Sequence, residues 1–378
     1  MQDDTPRPNT TDCIPAIRKY KIEKVLYSDP SRILFAREVI SGKQVVIKVL
    51  IKVKNDGCDL STIEKRQQAQ LYGLQWNKRV TPDAYLGLAL VGPTHNIFSP
   101  EGVIELSEII EIPEVENLDT LFEYAVVMRR LPEDLQLSAL LKYSVASFVN
   151  NYILLVTRRI AKIHRVLESF PICQDDGKDW GSCRQLQEKL QQNIQRVDSL
   201  LAAYPTHQAT FKSLGQSLLA VFEHSIYQRY FEQRRLDGYI KPCHGDLKTQ
   251  NIWIVPGSLS EEIWQGVKIL DAIDYNPTFS NIDILSDFAM FVVDVQARTG
   301  STLLAEKMVG WYLGLTQQEN EVARFVLDYY LIEKGLIRAA LRSASEGLSE
   351  PDQNFLVIAR GYLERLHNRI GSHQFIRI

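Results

Sequence analysis

The chain has 378 residues, of which 45% are hydrophobic and 24% charged, and its 43 basic and 46 acidic side chains leave a net charge of -3. This composition is ordinary for a soluble globular protein, and the balanced charge offers neither a nucleic-acid surface nor a polybasic membrane anchor. The five cysteines form no CxxC pair, and the N-terminus carries no apolar or arginine-rich targeting segment. We therefore expect a cytoplasmic protein without a zinc site or disulfide framework, and with no nucleic-acid or membrane partner.

The first third of the sequence is rich in short β-branched runs. The polar, proline-bearing residues 1–13 predict a loose tail. Beyond them, apolar runs between polar turns predict strands, and one stretch with few breakers predicts a helix. In chain order the predicted elements are strands at Ile22 to Leu26, Ile33 to Ile40 and Gln44 to Ile51, a helix at Thr62 to Trp76, and strands at Leu86 to Val91 and Tyr124 to Met128. Residues 14–130 are thus expected to form a β-rich lobe.

The chain becomes helical in character after the Leu131-Pro132 step. Between Val156 and Phe170, apolar residues recur at alternating steps of four and three, which is the stripe of an amphipathic helix. Further predicted elements are helices at Gln185 to Leu201, Phe211 to Glu232 and Phe325 to Leu341, and a strand-loop-strand segment at Ile240 to Val255 and Val267 to Leu270. The sequence therefore predicts an α+β fold of two lobes, a small β-rich one at residues 14–130 and a large, mostly helical one at residues 131–378.

The strongest functional pattern is His244-Gly245-Asp246, followed by Asn251 and, after an apolar segment, by Asp271. Phosphoryl transfer from ATP requires a carboxylate that orients and deprotonates the attacking hydroxyl, and oxygen ligands that hold Mg2+ on the phosphates. A loop with an aspartate and, five residues later, an asparagine can provide both. We interpret Asp246 as the base, and Asn251 and Asp271 as metal ligands. The alternative is a turn whose polar side chains cap backbone groups.

Lys48 ends an otherwise apolar strand in the β-rich lobe. A kinase needs a cation against the α- and β-phosphates of ATP, and lysine suits this position because it carries a compact charge on a flexible stem. The expected acidic partner of Lys48 is Glu64 on the following helix. Glu64 fits a capping box with Ser61 equally well, and the sequence does not decide between the two.

Two further segments are candidates for nucleotide contact. The turn containing Ser31 lies between the first two strands, where a phosphate-covering loop belongs. It has no glycine, but hydroxyl and N–H groups can bind phosphate oxygens there, unless the segment is a plain hairpin turn. The extended segment around Met128 can offer backbone groups to the adenine edge, with Met128 beside the ring. It is equally compatible with a buried strand that ends before Pro132.

The region after Asp271 is unusually acidic, with Asp274, Asp283, Asp287 and Asp294. Paired carboxylates can bind a metal or a cationic substrate, but a helix N-terminus also favours aspartate. We expect these residues to brace the catalytic loop.

His164 lies on the apolar stripe of the helix between Val156 and Phe170. We interpret it as a buried, hydrogen-bonded histidine and not as a catalyst.

Four stretches carry a resemblance to a known family: Tyr85-Leu86-Gly87, Tyr124 to Pro132, Cys243 to Ile252 and Leu270 to Asp287. On these residues the chain resembles the aminoglycoside phosphotransferase-like branch of the protein-kinase-like fold, and within it an uncharacterised bacterial subgroup. The resemblance implies a two-lobed kinase-like fold with ATP in the cleft.

The resemblance also implies roles for individual residues. It matches Asp246 to the catalytic aspartate of the family, Asn251 and Asp271 to its metal ligands, and Lys48 to its phosphate-binding lysine. The subgroup often has acidic residues near positions 71 to 73, where this chain reads Leu71-Tyr72-Gly73. That departure leaves the partner of Lys48 open.

The leading hypothesis is an ATP- and Mg2+-dependent enzyme that moves the γ-phosphate to a hydroxyl of a small molecule. The alternative is a nucleotide-binding pseudokinase with a regulatory or scaffold role, which has no need of Asp246. An acceptor pocket is expected among the helices of the second lobe. Neither the acceptor nor the oligomeric state follows from the sequence.

Overall fold

The computed structural model describes residues 17–28, 30–55, 57–92, 100–111, 122–169, 179–200, 202, 205–256, 266–345 and 353–375. The tail expected at residues 1–13 lies outside this part of the chain. The chain forms two compact units, which consist of Met1–Leu131 with Asp274–Asn276, and of Pro132–Ile273 with Pro277–Ile378.

The first unit is built on a six-stranded antiparallel sheet. Its strands are β1 (Arg18–Ser28), β2 (Ser31–Glu38), β3 (Gln44–Leu50), β6 (Tyr85–Leu90), β7 (Val103–Leu106) and β8 (Tyr124–Arg129), in the spatial order β6-β8-β3-β2-β1-β7. One face of the sheet buries a core that includes Leu34, Ile47 and Val127. Because side chains alternate along a strand, the burial of Ile47 in this core places Lys48 on the opposite face.

The helix α1 (Ile63–Val80) and a short hairpin of β4 (Lys54–Asn55) and β5 (Cys58–Asp59) complete the first unit. Thr62 is the N-cap of α1, and its hydroxyl accepts a hydrogen bond from the backbone N–H of Lys65. The segment 274–276 belongs to this unit through its side chains. Tyr275 packs against a cluster of buried residues that includes Leu50 and Leu60.

The second unit is mostly helical. Its helices are α2 (Leu137–Tyr143), α3 (Ala146–Val166), α4 (Cys183–Leu200), α5 (Pro205–Ala220), α6 (Ser225–Leu236), α7 (Pro277–Ser280), α8 (Ile284–Thr299), α9 (Thr302–Leu315), α10 (Glu321–Ser345) and α11 (Gln353–Phe375). Most of α8 is buried, because α9, α10 and α11 all pack against it. It therefore forms the centre of this unit.

Two short antiparallel strand pairs interrupt the helices of the second unit. The first joins β9 (Ile240–Pro242) to β12 (Asn281–Asp283), and the second joins β10 (Ile252–Ile254) to β11 (Val267–Ile269). The segment between β9 and β10 contains the HGD motif, and Asp271 follows β11. Both strand pairs thus serve to position the proposed catalytic residues.

The structure confirms the predicted α+β class and the opening three-stranded meander. The prediction of one helix from Phe211 to Glu232 is wrong. Helix α5 ends at Ala220, a 3-10 turn spans Val221–Glu223, and α6 begins at Ser225. Burial of the apolar side chains in this turn outweighs the helical propensity of the local sequence.

Among the described residues, no helix combines the length and apolar character needed to cross a bilayer.

Candidate active site

The HGD loop of the second unit is held by two aspartates of α8. Asp287 accepts hydrogen bonds from the backbone N–H groups of His244 at 3.0 Å and Gly245 at 2.9 Å. Asp294 accepts from both the backbone N–H and the hydroxyl of Thr249, at 2.9 and 2.6 Å. The two aspartates are seven positions apart and so lie on the same face of the helix. Together they fix the loop on either side of Asp246, as expected for Asp287 and Asp294.

Both aspartates are buried as charged groups. Burial alone would raise the pKa of Asp287, but hydrogen bonds from His164 and from the Gly245 amide hold that pKa below its ordinary value. Burial likewise opposes ionisation of Asp294, and the Arg298 and Arg338 guanidinium groups outweigh it, so the pKa of Asp294 is also lowered. The loop is therefore held by ionised acceptors at neutral pH.

His164 is buried, as predicted, and both of its ring nitrogens have partners. Nε2 lies 3.1 Å from Asp287 Oδ2, and Nδ1 lies 2.7 Å from the hydroxyl of Tyr312. Burial raises the pKa of Tyr312 well above its ordinary value, so its hydroxyl keeps its proton and can donate to Nδ1. The Nε2–H tautomer of His164 then donates to Asp287, which makes the histidine a support for the loop.

The side chains of Cys243, His164 and Asp287 lie close enough together that their ligand atoms could hold one metal ion. The thiol of Cys243 is directed at the carbonyl of Ile282, at 3.5 Å, while His164 and Asp287 are engaged as described. We interpret the group as part of the buried hydrogen-bond network.

The first two residues of the HGD motif shape the loop. His244 Nε2 lies 2.8 Å from the carbonyl of Leu270, and Nδ1 accepts from the backbone N–H of Asp246 at 3.2 Å. Gly245 has φ 83°, and a Cβ there would lie 2.7 Å from the carbonyl oxygen of Phe279. Only glycine fits this position without displacing backbone.

Asp246, Lys248 and Asn251 form a compact polar cluster. Lys248 Nζ lies 2.5 Å from Asp246 Oδ2, and Asn251 Nδ2 donates to the carbonyl of Asp246 at 2.9 Å and to Oδ2 at 3.3 Å. The side chain of Asp246 is 27% exposed, so a substrate can reach its carboxylate. Because the amide nitrogen of Asn251 is used towards Asp246, its amide oxygen is available to a metal ion.

The strand pair of β10 and β11 links the segment before Asp271 to Asn251. The backbone N–H of Leu270 donates to the carbonyl of Asn251 at 2.9 Å, which continues the ladder to the residue before Asp271. Asp271 is exposed and has φ 64°, a left-handed conformation that is uncommon for a residue with a side chain. Such conformations persist where the surrounding structure enforces them, often at functional sites.

Lys48 in the first unit is paired with Asp274, at 2.7 Å between Nζ and Oδ2. Their side chains are 12% and 4% exposed, which makes this a largely buried ion pair. Gly73 on α1 makes room for it, since a Cβ at Gly73 would lie 2.6 Å from Asp274 Cβ. The expectation that Asp274 braces the catalytic loop is therefore corrected.

Glu64 is not the acidic partner of Lys48. It is exposed in the first turn of α1, and hydrogen bonds from its own backbone N–H and from Thr62 lower its pKa. The N-cap of the helix is Thr62 and its N3 residue is Lys65, so the alternative of a capping box between Ser61 and Glu64 is not formed either. The role of Glu64 is therefore to stabilise the exposed first turn of α1, next to its N-cap Thr62.

Ser31 and Met128 lie within the sheet of the first unit. Ser31 is the first residue of β2, is 6% exposed, and pairs with Leu50 of β3. Met128 is 8% exposed on β8, between Val46 of β3 and Tyr85 of β6. Met128 therefore lies in a buried strand, which was the alternative considered for this segment. Burial leaves the side chains of Ser31 and Met128 little surface for contact with a ligand.

Sequence reasoning missed Lys248. It stands two residues after Asp246, inside the motif already singled out, and a cation next to the proposed base was a usable signal. The structure shows it as the ion-pair partner of Asp246.

No protein-family model matches this sequence, and no curated protein does. The chain is similar in structure to small-molecule kinases. One is the ethanolamine kinase of Plasmodium vivax, with 11% identity, a TM-score of 0.47, and coverage of 93% of this chain and 82% of that chain. Another is an aminoglycoside 2'-phosphotransferase in complex with GDP, with 10% identity, a TM-score of 0.48, and coverage of 96% and 95%. A third is the choline kinase of Cryptosporidium parvum, with 10% identity, a TM-score of 0.42, and coverage of 93% and 89%. Similarity of this degree transfers neither a substrate nor a reaction to the present chain.

Proposed function

We propose that the protein is an ATP-dependent phosphotransferase that moves the γ-phosphate to a hydroxyl of a small molecule. The observation that carries the proposal is the cluster of Asp246, Lys248 and Asn251 on a loop fixed by two buried aspartates. It supplies an accessible carboxylate in a preorganised position, which is what general-base catalysis requires.

Asp246 acts as the base in this proposal. Its carboxylate accepts the proton of the acceptor hydroxyl as the oxygen attacks the γ-phosphorus, and the bond from that phosphorus to the β,γ-bridging oxygen breaks to release ADP. Asn251 holds the Asp246 backbone and one carboxylate oxygen, so the base keeps its orientation without a large entropic cost. Lys248 pairs with that carboxylate and places positive charge beside it, where phosphate oxygens would gather negative charge.

The residues fit a magnesium ion. The amide oxygen of Asn251 and the carboxylate of Asp271 are hard oxygen donors, and Asp271 directly follows Leu270, whose N–H donates to the Asn251 carbonyl. Bound Mg2+ would neutralise phosphate charge during transfer.

Lys48 is proposed to bind the α- and β-phosphates, and Asp274 to hold its ammonium in place. A buried pair of this kind fixes the lysine in one orientation, which a phosphate-binding cation needs. The doubtful pairing of Lys48 with Glu64 favours the pseudokinase alternative mildly. The ion pair of Lys48 with Asp274 supports the kinase proposal instead.

The test has two stages. Thermal stability is measured with ATP, with and without Mg2+, and turnover is then measured against a library of hydroxylated metabolites that includes aminoglycosides. Asp246→Asn is compared with Asp134→Asn, a matched change at an exposed aspartate in a 3-10 turn. We expect Asp246→Asn to keep ATP affinity within about threefold and to lose about 1,000-fold in kcat, because general-base catalysis contributes on this scale.

Two results would contradict the proposal. Equal turnover by Asp246→Asn and wild type would remove the role given to Asp246. Tight Mg·ATP binding by the wild type with no transfer to any acceptor would instead favour the pseudokinase.

A further inference from the structure

A second group of charged residues lies in the helical unit, apart from the HGD loop. Lys189 on α4 faces Glu333 on α10, with 3.8 Å between Nζ and Oε1. The neighbouring Lys334 lies 3.1 Å from Glu333 Oε2. The side chains of Glu333 and Lys334 are 2% and 4% exposed, and that of Lys189 is 14% exposed.

The charges of this group do not balance. Two ammonium groups share a single carboxylate, and among the described residues Glu333 and Lys334 are the charged groups that act on Lys189. A net positive charge held away from water is costly unless an anion accompanies it. This cost affects the pKa of Lys189, which is lowered to about 8. Burial is the main cause, the charge of Lys334 adds to it, and the charge of Glu333 opposes it only in part.

Hydrogen bonding is also incomplete. The Lys189 ammonium has three donors and donates no hydrogen bond to any described residue, while its ion pair with Glu333 is long. On the same helix as Glu333, the buried hydroxyl of Tyr329 has no hydrogen-bond partner among the described residues. Glu333 Oε2 has no hydrogen-bond partner among them either. Buried polar groups of folded proteins are nearly always satisfied, so Tyr329 and Glu333 indicate a polar ligand beside the partly exposed Lys189.

One residue connects this group to the proposed base. The ring centroid of Phe279 lies 5.7 Å from Lys189 Nζ, and the Phe279 carbonyl is the atom that excludes a Cβ at Gly245. Gly245 precedes Asp246. Phe279 therefore has Lys189 near its ring and the HGD loop near its carbonyl.

We propose that Lys189, with Lys334 behind Glu333, binds an anionic group of the acceptor, so that the phosphorylated molecule is a hydroxylated carboxylic acid or phosphate ester. This inference rests on the proposed function and names its substrate class. An incoming carboxylate or phosphate supplies the negative charge that the group lacks and accepts the hydrogen bonds that Lys189 does not otherwise make.

The first test measures anion binding. Inorganic phosphate is titrated while Mg2+ and a non-hydrolysable ATP analogue occupy the nucleotide site, and the thermal shift is recorded. Lys189→Met removes the charge but keeps a stem of similar length, Lys189→Arg restores the charge, and Lys307→Met is the matched control at an exposed lysine of α9. We expect phosphate to stabilise the wild type, Lys189→Arg and Lys307→Met, and not Lys189→Met.

The second test compares three small alcohols that differ in charge: D-glycerate, glycerol and ethanolamine. We expect glycerate to be the preferred acceptor. Lys189→Met should raise its KM at least tenfold and change kcat less than threefold, because Lys189 binds the acceptor at a distance from the reacting atoms.

Several outcomes overturn this inference alone. They are equal phosphate stabilisation in Lys189→Met and wild type, no phosphate stabilisation of the wild type, or a preference for glycerol or ethanolamine that Lys189→Met leaves unchanged. Absence of Mg·ATP binding, in contrast, would overturn the proposed function itself. If none of the three alcohols is turned over, the phosphate titration decides the inference.

Discussion

The ion pair of Lys48 with Asp274 is open to a direct test. Asp274→Asn preserves the shape of the side chain but removes its charge, which leaves the Lys48 ammonium without its carboxylate partner. Glu64→Gln is the matched control, because Glu64 is the acidic residue that the sequence suggested for the same role and is exposed.

The expected cost follows from burial. Removing one partner of a buried ion pair costs about 3–5 kcal/mol. Lys48 is 12% exposed and keeps some access to water, so the lower end applies, about 3 kcal/mol. That is roughly a 150-fold change in the unfolding equilibrium. Glu64→Gln should leave stability unchanged.

Because the chain has two units, global unfolding need not be a single transition. Urea titrations followed by hydrogen exchange and mass spectrometry resolve peptides of β3 and α1 from those of the helical unit. The loss is expected in the former. A double variant with Lys48→Met should show a coupling energy above about 1 kcal/mol between the two positions.

The reasoning would be refuted if Asp274→Asn changed the stability of the β3 and α1 peptides by less than about 0.5 kcal/mol, which is the scale of ordinary surface substitutions. It would also be refuted if Glu64→Gln cost as much as Asp274→Asn, since the exposed glutamate would then be the effective partner.

Three further predictions concern the helical unit. The lowered pKa of Asp287 means that its contribution to stability is complete at neutral pH and is lost as pH falls through the folded-state value, below about pH 4. Asp287→Asn should therefore destabilise the protein at pH 7. It should also weaken the fall in the urea midpoint of unfolding that the wild type shows as pH is lowered below about 4. An unchanged fall at low pH would contradict this. Gly245→Ala should reduce the free energy of unfolding by about 1–3 kcal/mol, because the added Cβ meets the Phe279 carbonyl and φ at this position is positive. If a urea titration gave the wild-type free energy of unfolding, the loop would be able to adjust to the added methyl group. Asp271→Gly should keep the unfolding free energy or raise it by up to about 1 kcal/mol, since glycine accepts φ 64° freely, while Mg2+-dependent turnover falls. Retained turnover would remove Asp271 from the metal site.

Local patterns in the sequence were sufficient for much of the fold. The β-branched runs at β1, β2 and β3 and the apolar spacing from Val156 to Ile163 of α3 report directly on which faces are buried, and the structure confirms them. The stripe was predicted to continue to Phe170, but α3 ends at Val166, and Phe170 lies outside the described residues. The break at His224 was missed because it depends on tertiary burial of the turn before it, which composition does not record.

At the candidate site, the sequence predicted the contacts between residues close in the chain, but not the contacts between residues far apart in it. The HGD loop lies within one stretch of sequence, and its spacing shows which groups can meet. The partner of Lys48 is 226 residues away, and its choice depends on the space left by a single glycine on α1. No property of Glu64 or Asp274 taken alone distinguishes the two.

The glycine at position 73 has a wider consequence for how the sequence of α1 is interpreted. A glycine inside a helix ordinarily lowers the stability of that helix. Here a Cβ would lie 2.6 Å from Asp274 Cβ, so the missing side chain leaves room for the carboxylate that pairs with Lys48. Gly73 and Asp274 are therefore better treated as one structural unit than as two unrelated positions.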